Sequence, residues 1–353
     1  MNKIQDVRQH LGQHSHHWLV TGAAGFIGSF LAARLARMGM RVTACDNFSA
    51  YSALDLKHGR VQALLMPHDI RCEAVELADA CQVERLFERV RPAYVVHLAA
   101  QAGVRYSIDN PAAYVQSNLV AFANVLEACR QCQPRHLVYA SSSSVYGASL
   151  TAPFRESDRT DAPVSFYAAT KKANEAMAHS YSHLFGLPAS GLRFFTVYGP
   201  WGRPDMAPML FASAILEGRP IKLYNEGRHS RDFTFVDDIV EGVVRASDRI
   251  AEPDPDWDPR DPDPATSSAP FRLYNIGNSA PVQLLDFIEA LEESLGRKAE
   301  RVLLPLQPGD VLDTYADSDR LARRINWRPA TPVAEGVARF AEWYKSHAKS
   351  PTP

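Results

Sequence analysis

Three glycines spaced three residues apart, Gly22, Gly25 and Gly28, stand between an apolar run and a helical pattern, and this junction constrains the fold more than any other part of the chain. Trp18-Leu19-Val20-Thr21 has the pattern of a short buried strand, and Ser29 to Met38 has that of a helix. Strand, tight turn and helix in that order open a nucleotide-binding unit. Without Cβ atoms, the first two glycines let the backbone approach a pyrophosphate, which the free amides and dipole at the helix N-terminus attract. The third lets helix and strand pack closely. The spacing is G-x-x-G-x-x-G, which differs from the G-x-G-x-x-G of many dehydrogenases.

A second strand, Met40 to Cys45, ends at Asp46, close to the ~20-residue offset at which an acid accepts hydrogen bonds from adenosine ribose hydroxyls. A carboxylate there repels a 2′-phosphate, and Asn47 and Phe48 bring no cation to offset it, so NAD is expected over NADP. Strand and helix patterns continue to alternate through Tyr94-Val95-Val96-His97-Leu98 and His136-Leu137-Val138-Tyr139-Ala140. The fold class is therefore α/β, a doubly wound parallel sheet with ligands beyond the carboxyl ends of its strands. Those ends carry Leu98-Ala99-Ala100-Gln101 and the serine run Ser141 to Ser144.

Tyr167 and Lys171 stand four apart, so a helix puts both on one face. A phenol titrates near pH 10, and an ammonium close by favours phenolate, bringing it toward the range where it can remove a hydroxyl proton. Glycine turn, serine cluster and Tyr/Lys helix form one constellation.

The 353 residues carry a net charge of −2 with no block of Lys or Arg, so neither nucleic acid nor an anionic membrane is implied as a partner. No stretch approaches the ~20 apolar residues that span a bilayer, and a cytoplasmic protein is expected. The five cysteines suggest no disulfide framework. Cys129 and Cys132 form a C-x-x-C without a second ligand pair nearby, so no metal is expected there.

Four stretches are more specific than the glycine turn. They are Ala99-Ala100-Gln101-Ala102-Gly103-Val104-Arg105-Tyr106-Ser107, the run from Leu192 through Thr196-Val197-Tyr198-Gly199-Pro200-Trp201-Gly202-Arg203 to Met206, Arg231-Asp232-Phe233-Thr234, and Gln307-Pro308-Gly309-Asp310-Val311. On these, the chain from about Trp18 to Tyr344 resembles the UDP-glucuronate 4-epimerases, nucleotide-sugar epimerases of the extended short-chain dehydrogenase/reductase superfamily. The resemblance implies an NAD-binding Rossmann domain over 18–198 after a polar leader at 1–17, with segments around 232–250 and 272–278 returning to it. A smaller C-terminal lobe at 199–345 would bind the UDP-sugar and include a Pro/Asp-rich surface loop at 252–270.

The resemblance also implies the chemistry. NAD would be held by Gly22, Gly25, Phe26, Ile27, Gly28, Asp46, Asn47, Glu76, Leu77, Leu98, Ala99, Ala100, Gln101, Asn118, Tyr167 and Lys171. Tyr167 would take the proton from the sugar O4 while C4 is oxidised, Ser142 would share that hydrogen bond, and Lys171 would lower the phenol pKa. The 4-keto sugar would turn its other face and be reduced again, converting UDP-glucuronate to UDP-galacturonate for surface polysaccharide. Because the ketone lies β to the C5 carboxylate, the acid is prone to lose carbon dioxide. Ser142, Ser143, Ser144 and Thr196, supported by Arg203, would hold that carboxylate. Arg231 would bind the diphosphate and Asp310 the uridine ribose. Arg105 would lie near the sugar or brace its loop.

Related 4,6-dehydratases carry Asp-Glu where Ser143 and Ser144 stand, decarboxylases keep Glu at the Ser144 position, and UDP-glucose epimerases have Asn at that of Thr196. Decarboxylation to a UDP-pentose is the main alternative, followed by a silent NAD-binding module. Two departures stand out, Glu76 where relatives have Asp and Gln307 where many have Arg. A homodimer through Leu119 to Cys132 and Tyr167 to Leu184 is expected by fold-level analogy.

Overall fold

The structure is a computed structural model that describes residues 16–51, 53–305 and 313–348. Six strands open the order of the main sheet: β1 (His17–Thr21), β2 (Arg41–Asp46), β3 (Cys72–Ala74), β4 (Tyr94–His97), β5 (His136–Ser142) and β6 (Ala189–Phe194). The seventh, Phe271–Ile276, joins from far along the chain, and the spatial order places it beside β6, then β5, β4, β1, β2 and β3. All the pairings are parallel. A parallel sheet is covered on both faces, which is why β4 has no exposed residue although it shows no polar alternation.

Alternate residues of β1 feed different cores. Trp18 and Val20 pack in one cluster with Leu31 and Leu35 of α1 (Phe26–Arg37) and with Val240 and Val243 of a helix at Val236–Asp248. Leu19 faces the other cluster, with Leu86 of the helix Ala80–Val90 and Phe122 and Val125 of the helix Ala121–Cys132. The segment around 232–250 thus supplies a helix to the main sheet, and that around 272–278 supplies its last strand. The remaining short strands form small separate sheets, among them Thr196–Tyr198 paired in parallel with Phe233–Phe235.

The strand order reverses at β1, whose neighbours are β2 and β4, and the chain turns out of β1 at the glycines. Gly22 has φ +69°, and a Cβ on it would sit 2.7 Å from the Ala99 amide nitrogen. A Cβ on Gly28 would lie 2.2 Å from the Gly22 carbonyl oxygen, so α1 can approach β1 this closely only with glycine there.

The loop 252–270 contains no helix or strand, as its Pro and Asp content implies, yet Ala265 is buried and accepts from the Leu273 amide at 2.8 Å. All five cysteines are free thiols, and among the described residues no His, Cys, Asp and Glu group could hold a metal. No described helix is long and apolar enough to cross a membrane.

Candidate active site

The carboxyl ends of the central strands open on a cleft of about 440 Å³. Gly22, Gly25, Phe26, Ile27 and Gly28 form part of its wall, with Asp46, Asn47, Glu76, Leu77, Leu98, Ala99, Ala100 and Gln101. The first turn of α1 carries no acidic residue, and Gly25 caps it without a side chain, so its amides are left to an anion. Small side chains along the wall leave room for a flat ring, and Asp46 stands where a ribose would lie. The residues present fit a dinucleotide such as NAD.

Tyr167 and Lys171 sit in the first turns of α5, Phe166–Phe185, the fifth helix of seven or more residues after α1, α2 (Leu54–Arg60), α3 (Ala80–Val90) and α4 (Ala121–Cys132). Ser165, two residues before Tyr167, caps α5 by accepting from the Ala168 amide at 3.1 Å. Lys171 is buried and donates to the Ala140 carbonyl at 2.9 Å, tying the helix to the end of β5. Burial alone pulls its ammonium down to about 8. Burial also pushes the Tyr167 phenol above its ordinary value, against the pull of the Ser142 hydroxyl and then of the Arg203 charge. The downward influences come from Ser142 and Arg203, while Lys171 directs its ammonium at the Ala140 carbonyl.

Ser142 ends β5 and accepts from the Ser144 amide at 3.1 Å. That bond uses one of the hydroxyl's two lone pairs and leaves its proton free to be donated toward Tyr167. Ser143 and Ser144 continue in a 3₁₀ turn, Ser143–Tyr146, and both line the cleft with Thr196 and Arg203. The Arg203 guanidinium is paired with Asp205 through two contacts, 2.6 and 3.1 Å. Hydroxyls and one cation thus gather beside a phenol, and neither Ser143 nor Ser144 presents a carboxylic acid.

The profile of the NAD dependent epimerase/dehydratase family matches residues 18–258. The chain belongs to that family. Protein CapI of Staphylococcus aureus is 49% identical over 331 residues, covering 94% of this chain and 99% of that protein. A probable UDP-glucuronate 4-epimerase of Rhizobium meliloti (strain 1021) is 47% identical over 338 residues, 93% of this chain and 96% of its own. Among solved structures, the UDP-glucuronic acid 4-epimerase of Bacillus cereus in complex with UDP-glucuronic acid and NAD superposes with a TM-score of 0.81 at 30% identity, covering 94% of this chain and 99% of the other.

Within this family member, several expected residues stand elsewhere than on the cleft wall. Asn118 is buried behind it. Its side chain accepts from the Gln101 amide at 2.8 Å and donates to the Gln101 carbonyl at 3.1 Å, so it holds a cofactor-side loop rather than touching the cleft. Arg231 lies on the strand Ser230–Arg231, off this wall, with Nη1 donating to the Ser230 carbonyl at 2.9 Å. Arg105 is exposed and also off the wall. Asp310 and Gln307 lie outside the described residues, as does most of the leader. Glu76 turns its longer side chain back, accepting from Asn47 Nδ2 at 2.9 Å and from the Ala78 amide at 3.0 Å.

Two cleft residues escaped sequence reasoning. Lys57 donates to Asp46 Oδ1 at 2.8 Å, so a cation does accompany that acid, from eleven positions on. Arg60, on the same short helix, is buried and makes hydrogen bonds to the carbonyls of Ala24, Trp201 and Gly202. Their spacing of three within an apolar-poor stretch was the only local signal.

Proposed function

We propose that this protein is a UDP-glucuronate 4-epimerase, interconverting UDP-glucuronate and UDP-galacturonate. The observation that carries the reading is the meeting of Tyr167 and Ser142 with Ser143, Ser144, Thr196 and Arg203 in one cleft. NAD, when bound, accepts the hydrogen at the sugar C4 and returns it. The chain's own residues move the proton and guard the carboxylate. Tyr167 removes the O4 proton during oxidation and restores it during reduction, while Ser142 donates to the phenol oxygen and lessens the cost of its charge. Lys171, with its ammonium drawn toward neutrality, remains largely cationic at pH 7 and offers charge at the ribose side.

Loss of carbon dioxide from the 4-keto sugar requires its carboxylate to rotate perpendicular to the ketone. Hydroxyls of Ser143, Ser144 and Thr196, with Arg203, oppose that rotation by charge-assisted hydrogen bonds. A carboxylic acid at position 144, as in decarboxylases, would repel the substrate instead.

The division of labour follows: residues 18–198 bind NAD, and residues 199–345 close over the UDP-sugar. We infer a cytoplasmic homodimer, supported by exposed Phe166, Leu184 and Phe185 along α5. Light scattering on the purified protein should give twice the chain mass.

The test of the activity is incubation with UDP-glucuronate and proton NMR of the sugar nucleotides. UDP-galacturonate is the expected product, and Tyr167→Phe should abolish it while retaining nucleotide-sugar binding. A UDP-pentose with carbon dioxide would replace this reading with decarboxylation.

A further inference from the structure

We infer that Arg60 is a positioning residue that holds Arg203 in place and so sets the preference for a sugar bearing a carboxylate. The inference rests on the proposed epimerase reading. Arg60 lies at the end of α2, 141 positions from the loop that it grips. Its Nε and Nη2 donate to the Trp201 carbonyl at 2.9 and 2.8 Å, and Nη2 also reaches the Gly202 carbonyl at 3.1 Å. On its other side Nη1 donates to the Ala24 carbonyl in the glycine turn at 3.3 Å. Each of these acceptors is a backbone carbonyl, so the guanidinium fork fixes main-chain path rather than neutralising an acid.

The path it fixes is a strained one. Trp201 has φ +61°, a left-handed conformation that L side chains rarely adopt and that persists where the surroundings over-determine it. Two such surroundings are present. The Arg60 fork holds the Trp201 carbonyl, and the indole packs over Gly59, where a Cβ would come within 2.6 Å of its ring. The indole also packs against the His347 ring, 4.2 Å away between centroids, and the Trp343 ring at 5.2 Å.

Two residues beyond Trp201 the chain delivers Arg203 to the cleft, its fork steadied by Asp205. Arg203 lies close against Gly103 and the hydroxyl of Tyr51 that also approaches that glycine. A bidentate contact to a carboxylate tolerates little misplacement, and the backbone conformation at Trp201 decides where the Arg203 fork stands. Arg60 therefore acts on the substrate carboxylate through another residue, from a helix that also braces Asp46 through Lys57.

The experiment compares dissociation constants of UDP-glucuronate and UDP-glucose on the NAD-loaded protein, for wild type, Arg60→Met, Arg60→Lys and Gly59→Ala. UDP-glucose shares base, diphosphate and ring, so general damage weakens both ligands alike. The expected result is that Arg60→Met lowers the preference for UDP-glucuronate at least tenfold and raises the pentose fraction of the product, with Arg60→Lys between it and wild type. Gly59→Ala leaves every Arg60 hydrogen-bonding group in place, suits a helix, and displaces the Trp201 indole through its Cβ contact. It should lower the preference in the same direction, and it decides the matter if Arg60→Met does not fold or does not keep NAD. Unchanged preference in a folded, NAD-retaining Arg60→Met, or in Gly59→Ala where Arg60→Met does not fold, would overturn the inference. A wild type that neither epimerises UDP-glucuronate nor prefers it would instead overturn the functional reading beneath.

Discussion

Lys57 Nζ lies 2.8 Å from Asp46 Oδ1, with both side chains nearly enclosed at 9% and 6% exposure. The Phe48 amide donates to the same oxygen at 2.8 Å, which leaves the second oxygen for a ribose hydroxyl. NAD preference then depends on a paired acid whose partner would welcome a phosphate once the acid is gone. Asp46→Asn should weaken NAD binding about tenfold and strengthen NADP binding by a similar factor, one pair of charge-assisted bonds exchanged for another. Fluorescence titration with each nucleotide checks this, and adding Lys57→Met should cancel the NADP gain.

A second ion pair lies deeper. Arg193 donates to both carboxylate oxygens of Glu175, at 2.8 and 3.0 Å, and Glu175 also accepts from the Ser141 hydroxyl at 2.6 Å. The pair joins α5, the serine run and β6. Glu175→Gln leaves a buried guanidinium without its counter-charge and should cost about 3–5 kcal/mol. Urea unfolding at pH 7 measures it, as a fall in midpoint with little change in slope.

Buried histidines set the acid limit. Burial lowers His97 to about 3, and His136 to about 4, from the ordinary 6.5. The unfolded chain therefore binds protons at these sites before the folded one does. Their contribution is fully present above pH 6.5 and is lost as pH falls toward 3–4, by up to about 1.4 kcal/mol per pH unit for each. His97→Gln should flatten the fall in stability between pH 6 and 4 by about one proton relative to wild type. Urea midpoints across that range would show it.

Lys171 carries a stability cost. Its ammonium, buried and lowered from 10.5 to about 8, destabilises the folded state below pH 8 by about 3 kcal/mol, and that penalty is relieved as pH rises toward 10.5. Lys171→Met should therefore be inactive yet more stable at pH 7, with the gain disappearing above pH 10. Thermal unfolding at pH 7 and pH 10 separates the two conditions.

Local features were legible in the sequence, and reaches across the fold were not. The glycine turn, Asp46 at a strand end, the serine run and the Tyr167/Lys171 spacing each follow from a few neighbouring residues whose backbone state the pattern dictates. Lys57 and Arg60 could not be assigned that way, because their roles depend on a short helix folding back over β2 and meeting a loop 141 positions on. Asn118 was no more legible, because its amide binds the Gln101 backbone and the Thr170 hydroxyl, partners 17 and 52 positions away. The phenol's upward shift was likewise invisible, since burial is a property of the packed cleft and spacing reports only the helix face.

The central claim is that the hydrogen at C4 leaves the sugar and returns to the same carbon while Tyr167 moves the O4 proton. The most direct measurement uses UDP-glucuronate deuterated at C4, incubated with the wild-type protein in ordinary water and followed by NMR and mass spectrometry. The account predicts UDP-galacturonate with deuterium retained at C4 and no carbon dioxide beyond a trace. UDP-galacturonate carrying ordinary hydrogen at C4, or no UDP-galacturonate at all, would contradict it.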